Sequence, residues 1–180
     1  ALFLSRPDSR TLLVIGTGHV AFHAAEAHCA VRPVSRVLVH GRSPDRTQAF
    51  MDRLAARLGP GVMVSFAPDI PAAAAQADII TCGTTATRPL ICGADVRPGT
   101  HVDLIGAFTP QMRESDDALI AHSAVYVDTR AGALRGMPTC CAATCMTCAP
   151  AMWRGAARRR RSPCSSRWAR PSRISRRPGW

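Results

Sequence analysis

The chain has 180 residues, 47% of them hydrophobic, which is enough for one domain with a sizeable core. Its net charge of +11 is unevenly placed, because residues 136–180 hold 10 of the 23 basic residues and none of the 12 acids. The nearly neutral first segment therefore does not read as a specific nucleic-acid binder, and no apolar run reaches the roughly 20 residues that a membrane-spanning helix needs.

Ala1 to Leu4 is apolar, and Ser5 to Ser9, with Pro7 and Asp8, reads as a loop. A first strand so close to a first residue that is not Met leads us to expect further sequence upstream. No secretory signal precedes that strand, so a cytoplasmic location is expected. The strand is Thr11 to Ile15, a continuous apolar run. It enters Gly16-Thr17-Gly18 and then a helix from about Val20 to Ala30, with Val20, Ala24, Ala27 and Cys29 as the apolar positions. Strand, G-x-G-x-x-A and helix in this order form a dinucleotide fingerprint. Gly16 permits the sharp turn, Gly18 lets backbone approach a pyrophosphate, and Ala21, small in place of a third glycine, lets the helix pack closely. The phosphates would lie against the free N–H groups and the dipole at the helix start, making Gly16, Thr17, Gly18, His19 and Val20 candidate cofactor-binding residues.

After Pro33 breaks the chain, Arg36 to His40 is the second strand. In this architecture an acid at its end grips the ribose 2′-hydroxyl of NAD, roughly 20 residues beyond the turn. That place falls on His40, followed by Gly41, Arg42, Ser43 and, one turn on, Arg46. No carboxylate stands there to repel a 2′-phosphate, whereas two guanidinium forks and a hydroxyl suit one, so NADP(H) is favoured over NAD(H). Ser43-Pro44 also reads as the cap and first position of the next helix, a role compatible with the first. Phe50, Leu54, Ala55 and Leu58 recur at helical spacing as far as Gly59-Pro60-Gly61, a firm stop.

Val62 to Phe66 is the third strand, Pro68 to Ala77 a short alanine-rich helix, and Asp78 to Cys82 the fourth strand. The loop that follows places Thr84, Thr85 and Thr87 beyond a carboxyl edge, where open sheets bind ligands. A plain polar loop is the alternative reading. His101 to Ile105 is the fifth strand, and Gly106 begins the turn after it. Glu114, Asp116 and Asp117 open a helix at the end where negative charge is favoured, and Ala124 to Val127 is a sixth strand closed by Asp128. Alternating strands and helices with short links predict an α/β fold, a Rossmann-type doubly wound parallel sheet over residues 1–135. Cys29, Cys82 and Cys92 read as small buried hydrophobes, with no disulfide framework.

Five stretches, Ile15 to Ala21, His40 to Arg46, Ala77 to Leu90, Arg97 to Asp116 and Val125 to Leu134, together resemble the ornithine cyclodeaminase/mu-crystallin family. The resemblance covers residues 1 to about 135 and implies the NAD(P)-binding domain of a two-domain, dimeric protein. The substrate-binding arginine and lysine of the family lie in an N-terminal part with no counterpart here, so no catalytic residue is assigned. The implied chemistry is reduction of cyclic imino acids (ketimines such as pyrroline-2-carboxylate or piperideine-2-carboxylate), dehydrogenation of amino acids, or conversion of ornithine to proline and ammonia. Cyclodeaminases carry an aspartate two residues after the fifth-strand glycine. Phe108 stands there and can neither accept nor give a proton, which points to the reductase branch with Phe108 beside the substrate. The alternatives are an ornithine cyclodeaminase and a non-catalytic, NADPH-binding crystallin-like protein. Val20, where many members have Gln, and Ser115, in place of a common Leu, depart from the family pattern.

From Gly136 the pattern ends. Residues 136–180 hold all three Trp and five of the eight Cys, and the chain has no Lys anywhere. Such a tail is expected to be disordered, and it reads best as the product of a shifted frame in GC-rich coding sequence. Cys141, Cys145 and Cys148 lack the further ligands a zinc site requires, so no metal is expected. The arginines would give only sequence-independent attraction to nucleic acid.

Overall fold

The computed structural model describes residues 2–107 and 109–127. Phe108, Asp128 and the basic tail at 136–180 lie outside the described residues. Strands β1 (Thr11–Ile15), β2 (Arg36–His40), β3 (Met63–Phe66), β4 (Ile79–Cys82) and β5 (His101–Leu104) form one parallel sheet in the order β3-β2-β1-β4-β5. Helices α1 (His19–Val31), α2 (Pro44–Leu58), α3 (Ile70–Ala74) and α4 (Asp117–Ala121), with a 3-10 turn at Gly93–Asp95, complete the described elements. This is the Rossmann order, and its direction of winding reverses between β1 and β4. Among the described residues, no helix is long and apolar enough to cross a membrane.

β1 lacks polar alternation because both its faces are covered. Leu13 and Ile15 join Leu38, Ile80, Cys82, Ala74 and Leu119 in one core. Leu12 and Val14 join Val37, Val39, Ile79 and the helical residues Ala21, Ala25, Phe50 and Leu54 in the other. All four of these β1 side chains are 0–1% exposed. At about 1.5–3 kcal/mol for each buried aliphatic side chain, they contribute roughly 6–12 kcal/mol before chain entropy is counted.

The structure departs from the sequence reading at several places. The buried face of α1 is Ala21, Ala25 and His28, while Val20 is 54% exposed and Ala27 is also exposed. A polar residue, His28, takes a core position because Asp103 of β5 lies 2.7 Å from its Nε2. On α2, Thr47 rather than Ala55 shares the buried face with Phe50 and Leu54. α3 is shortened to Ile70–Ala74, with the Asp69 side chain accepting from the Ala72 N–H. β4 begins at Ile79, one residue later than expected; the Asp78 backbone still bonds to Thr11 and His101, and its carboxylate accepts from the N–H groups of Arg10 (2.9 Å) and Thr11 (3.0 Å) and pairs with Arg6. Cys82 is buried and Cys29 partly so, but Cys92 is exposed. Residues 124–127 are irregular rather than a sixth strand; so short an apolar run does not distinguish a strand from a loop.

Candidate functional site

The carboxyl ends of β1, β2, β4 and β5 carry nearly every residue singled out as cofactor-binding. Gly16 follows β1 with φ at +109°, and a Cβ there would stand 2.5 Å from the carbonyl oxygen of Gly83 and 3.3 Å from Thr84 Cγ2. Only glycine allows both that backbone and that approach. The Gly16 N–H still donates to His40 at 2.9 Å, and the Gly83 N–H to Ile15 at 3.0 Å, so the turn grows directly out of the ladder. A Cβ on Gly41 would collide with Thr47 Oγ1 and stand 2.6 Å from Thr17 Cγ2, and one on Gly106 would collide with Thr84. These contacts bring the loops after β1, β2, β4 and β5 together.

Above this edge α1 presents its N-terminus. Gly18 is the N-cap, with extended φ and ψ of −89° and 177°, no side-chain cap hydrogen bond and no acid in the first turn. A Cβ on Gly18 would meet nothing within 4 Å. Gly18, His19 and Val20 are exposed, and Thr17 is half-buried beside them. The end of a 13-residue helix is thus open, uncapped and free of negative charge, an arrangement that favours an anion. Ala21 is fully buried, 3.2–3.3 Å from where a Cβ on Gly83 would stand, which accounts for its small size.

At the end of β2, His40 aligns with Ile15 of β1, and its Nδ1 donates to the Ala67 carbonyl at 2.8 Å. Arg42 and Arg46 are exposed, and among the described residues neither takes part in an ion pair. Ser43 occupies the N-cap of α2 with Pro44 next, yet its side chain makes no cap bond, contrary to expectation. Its carbonyl instead accepts from Thr47 N (2.9 Å) and Thr47 Oγ1 (2.7 Å), and Asp45 provides the negative charge in the first turn.

The loop after β4 differs from the simple picture of three hydroxyls facing a ligand. Thr85 and Thr87 are exposed, but the Thr84 hydroxyl donates to Glu114 and accepts from the Ala86 N–H. Glu114 was expected to start a helix. It is instead 2% exposed and turned inward, while Asp116 caps α4 by accepting from Leu119 N at 2.8 Å. Sequence reasoning also missed the group around Asp103, where His28 and His101 place Nε2 atoms 2.7 and 2.9 Å from its two oxygens. Burial opposes ionisation of Asp103, but the interactions with His101 and His28 outweigh it and hold its pKa well below the usual carboxylate range. Of the three, His28 and Asp103 border a mostly apolar groove on the α1 face rather than the carboxyl edge.

The model of the ornithine cyclodeaminase/mu-crystallin family matches residues 1–139. The chain is 49% identical over 133 residues to the Delta(1)-pyrroline-2-carboxylate reductase of Paracoccus denitrificans (strain Pd 1222), covering 72% of this chain and 40% of that protein. It is 30% identical over 133 residues to the ketimine reductase mu-crystallin of Rattus norvegicus, covering 74% and 41% respectively. Among solved structures it is similar to Thermococcus litoralis Delta(1)-pyrroline-2-carboxylate reductase in complex with NADH and L-proline, with a TM-score of 0.72 and 28% identity over 81% of this chain and 44% of that one. The chain spans about 40% of the length of the curated relatives it matches.

Proposed function

The chain belongs to the ornithine cyclodeaminase/mu-crystallin family, and from that premise we propose that residues 1–135 are the nucleotide-binding domain of an imino-acid reductase that favours NADP(H) over NAD(H). The observation that carries the reading is the open, uncapped N-terminus of α1 at the β1–β4 reversal, with empty space over Gly18. The residues fit a dinucleotide there. The N–H groups of Thr17, Gly18, His19 and Val20 would hold its pyrophosphate, Arg42, Ser43 and Arg46 a 2′-phosphate, and the loops at Thr84, Thr85, Thr87 and Gly106 would face the nicotinamide half. Bound in this way, the reduced nicotinamide supplies a hydride to the imine carbon of a cyclic imino acid such as pyrroline-2-carboxylate or piperideine-2-carboxylate. What this chain contributes is orientation of the cofactor, and Phe108, which is not acidic, supports reduction over deamination.

The preference for a 2′-phosphate rests on the absence of a carboxylate at His40 and on the exposed guanidinium groups beside it. A charge-assisted bond to phosphate contributes about 1.5–3 kcal/mol, or roughly 10- to 150-fold in affinity. The test is to titrate the 180-residue chain and its Arg42→Asp variant with NADPH and NADH, following nicotinamide fluorescence. The parent should bind NADPH at least about tenfold tighter, and the variant should lose most of that ratio while keeping its NADH affinity. Equal affinities in the parent, or an unchanged ratio in the variant, would overturn the NADP(H) assignment.

A further inference from the structure

Glu114 is a charged side chain buried to 2% exposure, and its two oxygens face two different loops. Oε1 accepts from the Thr84 N–H and the Thr84 hydroxyl, each at 2.8 Å, and Oε2 accepts from the Gly106 N–H at 2.8 Å. Thr84 lies two residues past β4 and Gly106 two residues past β5. The backbone around Glu114 is itself tied down, since its carbonyl accepts from Leu90 (2.9 Å) and Ile91 (3.1 Å) and the Arg113 N–H donates to Ala86 at 2.7 Å. The carboxylate thus sits on a fixed platform and clamps the two loops at the carboxyl edge of β4 and β5. The proposed pyrophosphate and 2′-phosphate sites lie on the other side of the reversal, over β1 and β2; the β1 turn meets the clamped loop at Gly16, against Gly83 and Thr84, while the carboxylate's own hydrogen bonds go to Thr84 and Gly106.

We infer that Glu114 is a positioning residue for the nicotinamide half of the cofactor: it sets the loops at Thr84 and Gly106 in the one relation that leaves room for the ring. The inference rests on the dinucleotide reading above. A side chain that only filled the core would have no need of two acceptor oxygens with three donors between them. A glutamine of the same shape cannot replace it. If its single carbonyl oxygen faces Thr84, its NH₂ group meets the Gly106 N–H, donor against donor; if it is reversed, both Thr84 donors lose their acceptor. One loop is released in either orientation, while the phosphate-binding end keeps its geometry.

The experiment compares the 180-residue chain with its Glu114→Gln variant, using NADPH and adenosine 2′,5′-bisphosphate as probes. The second probe carries the adenine end and the 2′-phosphate without the nicotinamide. Glu114→Gln should weaken NADPH about five- to tenfold or more, corresponding to roughly 1–1.4 kcal/mol, and leave the bisphosphate within about twofold. Hydrogen exchange supplies a readout that does not depend on ligand: in the variant the Thr84 or Gly106 amide should exchange faster while the amides of β1 and β2 stay protected. Equal weakening of both probes, or a general loss of protection, would make Glu114 a folding residue and overturn the inference. So would unchanged NADPH affinity. A parent chain that binds neither probe removes the dinucleotide reading itself; one that binds both probes while the variant behaves like the parent removes only the role of Glu114.

Discussion

Gly16 and Gly18 are two residues apart in one turn, yet the structure predicts opposite consequences for the same added methyl group. At Gly16 an alanine must adopt φ near +109° and place its Cβ 2.5 Å from the Gly83 carbonyl oxygen, a backbone atom that cannot swing aside. The backbone strain costs about 1–3 kcal/mol and the overpacking about 1–3 more, offset by about 0.4–1 from the stiffer unfolded chain. The net is roughly 1–5.6 kcal/mol, which for an ordered unit of this size lowers Tm by roughly 3–28 °C. At Gly18, φ is −89° and a Cβ meets nothing within 4 Å. Losing glycine as N-cap costs up to ~1 kcal/mol and the stiffer unfolded chain returns about 0.4–1, so the variant should lose no more than about 0.6 kcal/mol of stability. That methyl group stands instead where the pyrophosphate is proposed to lie. Thermal unfolding followed by far-UV circular dichroism, with NADPH titration of each variant, separates the two effects. Gly16→Ala should lower Tm, and Gly18→Ala should keep Tm and lose cofactor affinity. A Gly16→Ala variant as stable as the parent, or a Gly18→Ala variant that falls as far as Gly16→Ala, would refute this account of the turn.

Acid should destabilise the fold through two aspartates. At Asp78 burial pushes the carboxyl pKa up, but the Arg10 and Thr11 N–H groups and the charges of Arg6 and Arg97 prevail and lower it; Asp103 is lowered by its two histidines. A carboxylate whose folded pKa is depressed stabilises above its unfolded value of about 3.9 and loses that contribution as pH falls below it. The urea midpoint should therefore drop between about pH 5 and pH 3, and the drop should shrink in Asp78→Asn. The same slope in the variant as in the parent would count against Asp78 as an anchor. For the thiols, burial pushes Cys29 up to about 11 and Cys82 higher still, whereas Cys92 is exposed. Of these three, iodoacetamide at pH 8 followed by peptide mapping should label Cys92 first; labelling of Cys82 in the folded chain at the same rate would contradict its burial.

The bounds of β1 and β2 were legible in the sequence to the residue, because strands covered on both faces appear as unbroken apolar runs between a loop and a turn. The glycine turn was legible for a different reason: G-x-G-x-x-A encodes backbone requirements that few other residues meet. Polar residues at core positions were not legible. His28 looks like part of the solvent face of α1, and only Asp103, 75 residues away in sequence, makes its burial tolerable. Glu114 sits in an R-E-S-D string that resembles a helix start, and its role depends on donors 8 and 30 residues away. Periodicity reports which side chains are apolar, not which polar ones find partners across the fold. Ser43 shows the same limit on a smaller scale, since its place at the N-cap was readable but the choice of Thr47 to bond its carbonyl was not.

The glycines at the carboxyl edge have a joint consequence that no single one implies. Gly41 and Gly106 need no left-handed backbone; they are small because Thr17 and Thr47 press on one and Thr84 on the other. Gly16 adds the contact with Gly83 and Thr84, so the loops after β1, β2, β4 and β5 touch through backbone or short side chains. Long side chains would have had to be ordered at an entropic cost when a ligand bound. Here the walls are mostly main chain, already fixed by the ladder and by Glu114, and much of the ordering is complete before any ligand arrives. This also divides the effects expected of substitutions. Changes at Arg42 or Arg46, exposed at the rim, should alter which nucleotide is preferred; changes at Gly41, packed on Thr17 and Thr47, should spread the β1 and β2 loops and weaken every nucleotide together, whereas changes at Gly106, packed on Thr84 and Glu114, should weaken chiefly those that carry the nicotinamide.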